Sequence, residues 1–477
     1  MIRRSTLFAC GVFLLFPAAT FAQNATWTGG GDGTTWEDPA NWSTGAVPSA
    51  NANIGNGATV GLSTNQTFNE VDVVGDQNTG TAVLNQTAGT VSGGGWAKVG
   101  VISGTDGTYN LSGTASSTGH TQLHIGDRGG ATGLVTLSDS ATFTHSQNLQ
   151  ISSDGAANPG GTGTLTLNDN AVHSGGDDAN IADSPGGVGT VNLNNNSTLN
   201  IADRFNLGFN GTGTLNVADS STLNVQNLST ANGVGTGVIN QTGGTINSNT
   251  WVAIGQGGDP NASGTYNHSG GTLNTGLMST TENLVIGENG AGTYNASGTA
   301  VINNNVGTLV GRNATGDGLL EITGSTVTFS TGDLDIGLNS NGADVGANGE
   351  ISWIADAGGV STIFSDDNTT FGANSDLSVD LTADSAFSTF TTTSNAGGLV
   401  DIAVLVDNVN SVTGTFAGLA EGAAVSIGGG QTAFITYVGG DGNDIILQTF
   451  IQPIPEPASA TILVLAGMGM MFRRRRS

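Results

Sequence analysis

Histidine, carboxylate, basic and tryptophan side chains could carry chemistry in this chain, and their spacing limits what they can do. The five histidines are His120, His124, His145, His173 and His268. Only His120 and His124 are close neighbours, and in a strand residues i and i+4 share a face but sit about 13 Å apart, too far for one metal ion. Exposed polar positions account for all five. Asp177-Asp178 is an acidic pair without accompanying catalytic residues. Lys98, Arg128, Arg204 and Arg312 are spread through the chain, and no basic cluster is evident. Gly439 to Leu447 fits G-G-x-G-x-D-x-U-x, a pattern that binds calcium between successive copies. One copy stands here, so the segment reads as a turn before the last strand, with no metal. Trp27, Trp36 and Trp42 cluster near the start. Aromatic rings can stack on sugars, so they are candidate carbohydrate contacts, but an apolar cap closing the first coil is the preferred reading.

The elements that must position these residues follow from a repeat. A G-T-ϕ-N motif, with ϕ apolar or aromatic, or an equivalent of it, recurs at ten positions from Gly80 to Gly318 in steps of 24 to 30 residues. Fixed periods of this size mean stacked repeats. Each unit holds three short alternating runs, as in Thr214-Leu215-Asn216-Val217 followed by Ser221-Thr222-Leu223-Asn224-Val225. Alternation marks strands with one buried face, and Gly, Asn and Asp between them supply tight corners. Three such strands bury a core only when coils stack. The chain is therefore expected to be all-β, a parallel β-helix of about ten coils of ~26 residues, roughly 50 Å long. Asn110, Asn192, Asn216, Asn240, Asn267 and Asn295 recur at matching sites and could stack as ladders at the corners. Blades of a propeller need about 40 residues each, so the period argues against one.

Composition narrows the function. The chain has 477 residues, 78 glycines and 37 acidic residues against ten basic ones. Six of the ten basic residues lie at positions 3, 4 and 473–476, and Glu456 is the only acid in the tail. The body thus carries four basic residues against 36 acidic ones, a net charge of −32. Nucleic acid is excluded as a partner, since a binder needs a basic stripe. The only cysteine is Cys10, so no disulfide staples the body.

The two ends carry addresses. Arg3-Arg4, an apolar run from Leu7 to Phe16 and small residues up to Ala22 form a secretory signal pattern with cleavage after Ala22, so residues 1–22 would be removed. At the other end Pro455-Glu456-Pro457 leads into Ala458 to Phe472, fifteen mostly apolar residues, and then Arg473-Arg474-Arg475-Arg476. Fifteen helical residues span about 22 Å, a marginal transmembrane helix whose arginines would stay cytoplasmic. This tail resembles the PEP-CTERM sorting domain, which is also labelled an ice-binding protein C-terminal domain. The resemblance implies an exosortase-type processing enzyme, cleavage near the Pro-Glu-Pro, a transient inner-membrane anchor, and export in a Gram-negative bacterium that makes exopolysaccharide. Residues 23–75 are similar to the opening of surface proteins with autotransporter-associated repeats, and residues 376–450 to their closing strands. The expected divisions are a signal peptide at 1–22, a Trp-rich cap at 23–75, solenoid repeats at 76–375, a β segment at 376–450 and the sorting tail at 451–477.

Catalysis is not expected. Pectinase-like hydrolases on this fold need Gly-His-Gly and Arg-Ile-Lys motifs, which are missing, and lyases need a basic residue beside a calcium site. Ice binding would need Thr-x-Thr runs in one register. Thr142-Phe143-Thr144, Thr164-Leu165-Thr166 and Thr326-Val327-Thr328 do not share one. The sequence therefore points to an exported structural or adhesive component of the cell surface or exopolysaccharide matrix, without cofactor. A carbohydrate-binding surface module is the alternative.

Overall fold

The computed structural model describes residues 24–75, 79–155, 158–259, 261–278, 284–339, 341–391 and 398–451. Ala22, Pro455, Glu456, Pro457, the apolar run Ala458 to Phe472 and Arg473 to Arg476 lie outside the described residues, as does any transmembrane helix there. Among the described residues no helix is long and apolar enough to cross a membrane.

One turn of the chain shows how the fold is built. Thr212–Val217, Thr222–Val225 and Asn227–Thr230 are three strands separated by sharp corners. Their alternation sends Leu215, Val217, Leu223, Val225 and Leu228 inward, where all five are buried. Each such side chain contributes about 2 kcal/mol of burial. Every strand pairs in parallel with its counterpart in the next turn, as Thr212 opposite Thr236, Thr222 opposite Thr245 and Leu228 opposite Val252. Stacking generates three walls, here called long, middle and short in the order in which the chain visits them in each turn. The long wall has 13 strands, from Ala58–Leu62 to Ser375–Asp380, and the short wall has 15, from Ala25–Thr26 to Val412–Thr413.

The molecule is thus a parallel β-solenoid of about thirteen turns, not ten. The extra turns lack the glycine motif but keep the register. Ala58–Leu62 pairs with Gly80–Gln86, and beyond Gly318 the stack continues through Gly349 to Ser375. The first motif position also shifts, because Ala82 rather than Gly80 stands opposite Gly107.

The motif has a steric cause. The glycine of each repeat points inward where the long wall passes the end of the short wall. A Cβ on Gly213 would lie 2.5 Å from the Gly208 nitrogen. Gly208 itself has φ 71°, and its Cβ would meet the Thr236 carbonyl oxygen at 1.9 Å. At Gly208 a Cβ would need the neighbouring coil to shift, whereas Ser152, Ala182 and Ala231 hold the equivalent corner in other coils with φ of 52° to 59°. At the corner between long and middle walls the chain turns through Asp139, Asp169, Asn195 and Asp219, all with φ between 55° and 58°. Asp and Asn tolerate this conformation. Their side chains also stitch the coils together, since Asn195 N–H donates to Asp219 Oδ2 at 2.9 Å and Asp139 N–H to Asp169 Oδ2 at 3.0 Å.

Both ends are closed. Trp42 packs edge-on against Trp27 and Trp36 at 5.0 and 4.8 Å, and Trp36 lies 5.4 Å from Phe68. At the far end Val400–Asn408 extends the middle wall beside Ile363–Ser365, then pairs antiparallel with Asp444–Ile451. Thr432–Gly439 and Ala424–Ser426 complete an antiparallel sheet. Covered ends keep a stack of open strands from pairing with other chains.

Candidate functional site

The outward faces carry two amide ladders. On the long wall Asn216 donates through Nδ2 to Asn192 Oδ1, Asn240 to Asn216, Asn267 to Asn240 and Asn295 to Asn267, at 2.8 to 2.9 Å. Asn192 donates to Thr166 Oγ1, and Asn110 to Asn85. A second ladder on the middle wall runs through Asn200, Asn224, Asn247, Asn274 and Asn303 at the same spacing. In-register parallel strands sit about 4.8 Å apart, which suits amide-to-amide bonding from coil to coil. These asparagines stand mid-strand, not at the corners expected from sequence. The corners belong to the Asp and Asn residues with positive φ, because mid-strand side chains in register face one another directly and corner side chains must serve the turn. The middle-wall ladder leads to an open hollow of about 410 Å³ lined by Asn303, Ser330, Phe364 and Asp366.

The short wall is different. Its outward central positions place Asp72, Lys98, His124 and Gln150 side by side in successive coils. Lys98 Nζ lies 3.5 Å from Glu70 Oε2, 3.8 Å from Asp72 Oδ1 and 5.2 Å from the centre of the Trp96 ring. Trp96 stacks on His124 at 4.7 Å. His124 Nδ1 meets Asp127 Oδ2 at 2.5 Å, and its Nε2 meets Gln122 Oε1 at 2.7 Å. Arg128 Nε donates to Asp154 Oδ2 at 2.8 Å. Burial pushes the Asp127 carboxyl up from its usual range, while His124 and the nearby Ser153 N–H oppose that rise. Together Trp96, Lys98, Val101, His124, Asp127, Arg128 and Asp154 line a cavity of about 110 Å³.

This cluster corrects the expectation that the basic residues stay apart. Lys98 and Arg128 share one pocket because Lys98 is in register with His124 and Arg128 sits just past that strand. The signal was present in the numbering, since Arg128 and Asp154 are 26 residues apart, one coil. Further along the same wall the outward column becomes apolar at Ala253, Val285 and Leu309, covered in part by Trp251.

The remaining candidates sit elsewhere. Trp27, Trp36 and Trp42 are buried, with at most 4% of any one exposed, so they present no open ring to a sugar and serve the cap instead. His120, His145, His173 and His268 are buried, against the expectation of exposure; only His124 is half-exposed. Alternation itself points them into the prism: His145 follows Phe143 by two and stands opposite His120, His173 stands opposite Phe143 and Leu199, and His268 follows Tyr266 by two. Phe143 lies between the rings of His120 and His173, 5.4 Å from each. His145 Nδ1–H donates to the Gln147 carbonyl, so His173 Nε2–H donates to His145 Nε2 at 2.9 Å. His268 Nε2–H donates to the Gly271 carbonyl and its Nδ1 accepts from Tyr294 O–H. Desolvation lowers the pKa of His120, His145 and His268 to about 4 and that of His173 well below its usual value. Asp177, Asp178 and Asp203 bring carboxylates within 4.8 Å of one another at the surface, and Asp178 Oδ1 accepts the Arg204 N–H. Partial burial, then the neighbouring Asp203 and Asp177, raise the Asp178 carboxyl. Gly439 to Leu447 runs from the end of Thr432–Gly439 through a turn into the last strand, Asp444–Ile451, and Asp444 Oδ1 accepts the Asn408 N–H at 3.0 Å.

No family model, curated protein or solved structure matches the chain.

Proposed function

We propose that this protein is an exported structural and adhesive component of a cell surface or exopolysaccharide matrix. The observation that carries the proposal is the pair of outward asparagine ladders running along a capped rod. Each ladder repeats one amide every coil, so a chain molecule lying along the wall meets the same donors and acceptors again and again. A single such hydrogen bond contributes about 1 kcal/mol net, and repetition raises the total retention far above any one contact. A net acidic body favours neutral or cation-bridged glycans over polyanions.

Sorting belongs to the same proposal. The signal pattern ending at Ala22 and the tail from Pro455 to Arg476 resemble those of substrates of an exosortase-type enzyme, which would release the body after transient membrane anchoring. The proposal includes no catalytic step and no cofactor. On the one wall that gathers ionisable groups, both ring nitrogens of His124 are already engaged, which supports a positioning role. Intact-mass and localisation measurements on the native protein, with and without the host's sorting enzyme, test it. The mature body should begin near Gln23, end near Pro455 and reside outside the inner membrane. Secreted material still carrying Arg473 to Arg476 would contradict it.

A further inference from the structure

We infer that the pocket on the short wall around Trp96 binds a single ring of a neutral sugar. The observation is that a mostly polar rod sets an open indole ring beside fixed donors and acceptors of both charges; among the described residues the other ring this exposed, Phe364 at 40%, lines the hollow with Asn303, Ser330 and Asp366 and no basic side chain. Trp96 is 41% exposed even though His124 stacks on it, whereas Trp27, Trp36, Trp42 and Trp353 are buried and Trp251 is half-buried. An aromatic side chain in water contributes most when an apolar face covers it. The axial C–H face of a pyranose is such a surface, and its hydroxyls need partners of both kinds around the rim. Here Lys98 and Arg128 donate, and Asp127 and Asp154 accept. Asp127 is 5% exposed, and its Oδ1 is buried without a hydrogen bond. A ligand hydroxyl donating to that oxygen would satisfy a buried acceptor, which is costly to leave bare.

Size and charge narrow the ligand. A cavity of about 110 Å³ is far below the ~300–1,000 Å³ of whole small-molecule sites, so it holds one ring and lets the rest of a glycan run outward. Glu70, Asp72, Asp127 and Asp154 outnumber Lys98 and Arg128, and each cation already faces a carboxylate. An acidic sugar would meet a net acidic rim; a neutral one meets matched donors and acceptors. The groups are held before any ligand arrives, because His124 is fixed at both nitrogens and Lys98 lies between two carboxylates. Pre-set geometry lowers the ordering cost of binding.

The inference deepens the adhesive proposal by giving the rod a discrete site in addition to its ladders. Intrinsic tryptophan fluorescence of the full chain reports on Trp96, and saturation-transfer NMR reports on the sugar. The probes are cellotriose, mannotriose and galactotriose, with trigalacturonate as the acidic counterpart. At least one neutral probe should bind, with quenching of the exposed tryptophan and saturation of one terminal ring. Trp96→Ala should weaken binding at least tenfold, Trp96→Tyr should retain it within about threefold, and trigalacturonate should bind at least tenfold more weakly. Absence of binding by all three neutral probes, an unchanged affinity in Trp96→Ala, or equal binding of trigalacturonate overturns the inference. Circular dichroism of Trp96→Ala should match the parent, since the ring lies outside the prism. Retention of long glycans by the ladders is a separate readout, so the pocket and the ladders can fail independently.

Discussion

Asn240 donates to Asn216 and accepts from Asn267, so one side chain ties three coils together. Replacing it with valine keeps strand propensity and removes both bonds. Asn240→Val should cost about 1–2 kcal/mol in denaturant unfolding, and a variant as stable as the parent would mean that the ladder contributes nothing. The buried histidines set a pH dependence. Their folded-state pKa values are lowered to about 4 or further by desolvation, while the unfolded chain titrates near 6.5. Below 6.5 the unfolded state therefore binds more protons than the folded one. Stability is complete above that pH and is lost as pH falls towards 4, by about 2 kcal/mol per histidine at pH 5. Carboxyls raised by burial oppose this in part, Asp335 to about 6 and Asp127, Asp178, Asp183 and Asp444 in the same direction. Chemical denaturation at pH 7 and pH 5 should show the loss, and His268→Gln should shrink it. A flat profile would place those rings in water.

Strand and corner elements were readable to different degrees. The G-T-ϕ-N motif revealed the long wall because a glycine and an inward apolar residue recur from coil to coil, with an outward asparagine in most, replaced by Thr136, Thr166 and Glu321. The terminal turns were not readable, because Ala58–Leu62 and Ser375–Asp380 stack by register alone, without the glycine. The histidines were misplaced because residue type was weighed above alternation, which already sets His145 two positions after Phe143, His268 two after Tyr266 and His173 opposite Phe143 and Leu199, all on the inward face. The pocket stayed hidden for another reason. Lys98 and Arg128 are thirty positions apart in sequence, and only counting in coils brings them to one wall. Steric demand at the short-wall corner gives a sharp test at this scale. Gly208→Ala would set a Cβ against the Thr236 carbonyl at φ 71°, and although Ala182 and Ala231 hold the same corner in the adjacent coils, a loss of about 1–2 kcal/mol is expected in thermal or urea unfolding. Neutral behaviour would mean that the corner has another geometry.

At the scale of the molecule, about thirteen turns at ~4.8 Å make a body roughly 60 Å long before the caps are added. Such a stack has two exposed edges unless something covers them. The antiparallel sheet formed by Val400–Asn408, Ala424–Ser426, Thr432–Gly439 and Asp444–Ile451 covers one. Removing the chain from Ala424 onward should produce concentration-dependent assembly by light scattering, while the parent stays monodisperse. The same length is what makes repetition useful, because a rod presents many equal contacts in line and a globule presents few. Retention of the full chain on immobilised host exopolysaccharide is the most direct test of that idea. Asn→Val substitutions would be introduced singly and then in twos and fours along the ladder from Asn216 to Asn295, with folding checked by circular dichroism. Stepwise loss of retention with the number of amides removed is the predicted result; retention that stays unchanged after four substitutions in a folded rod would contradict adhesion through the ladders.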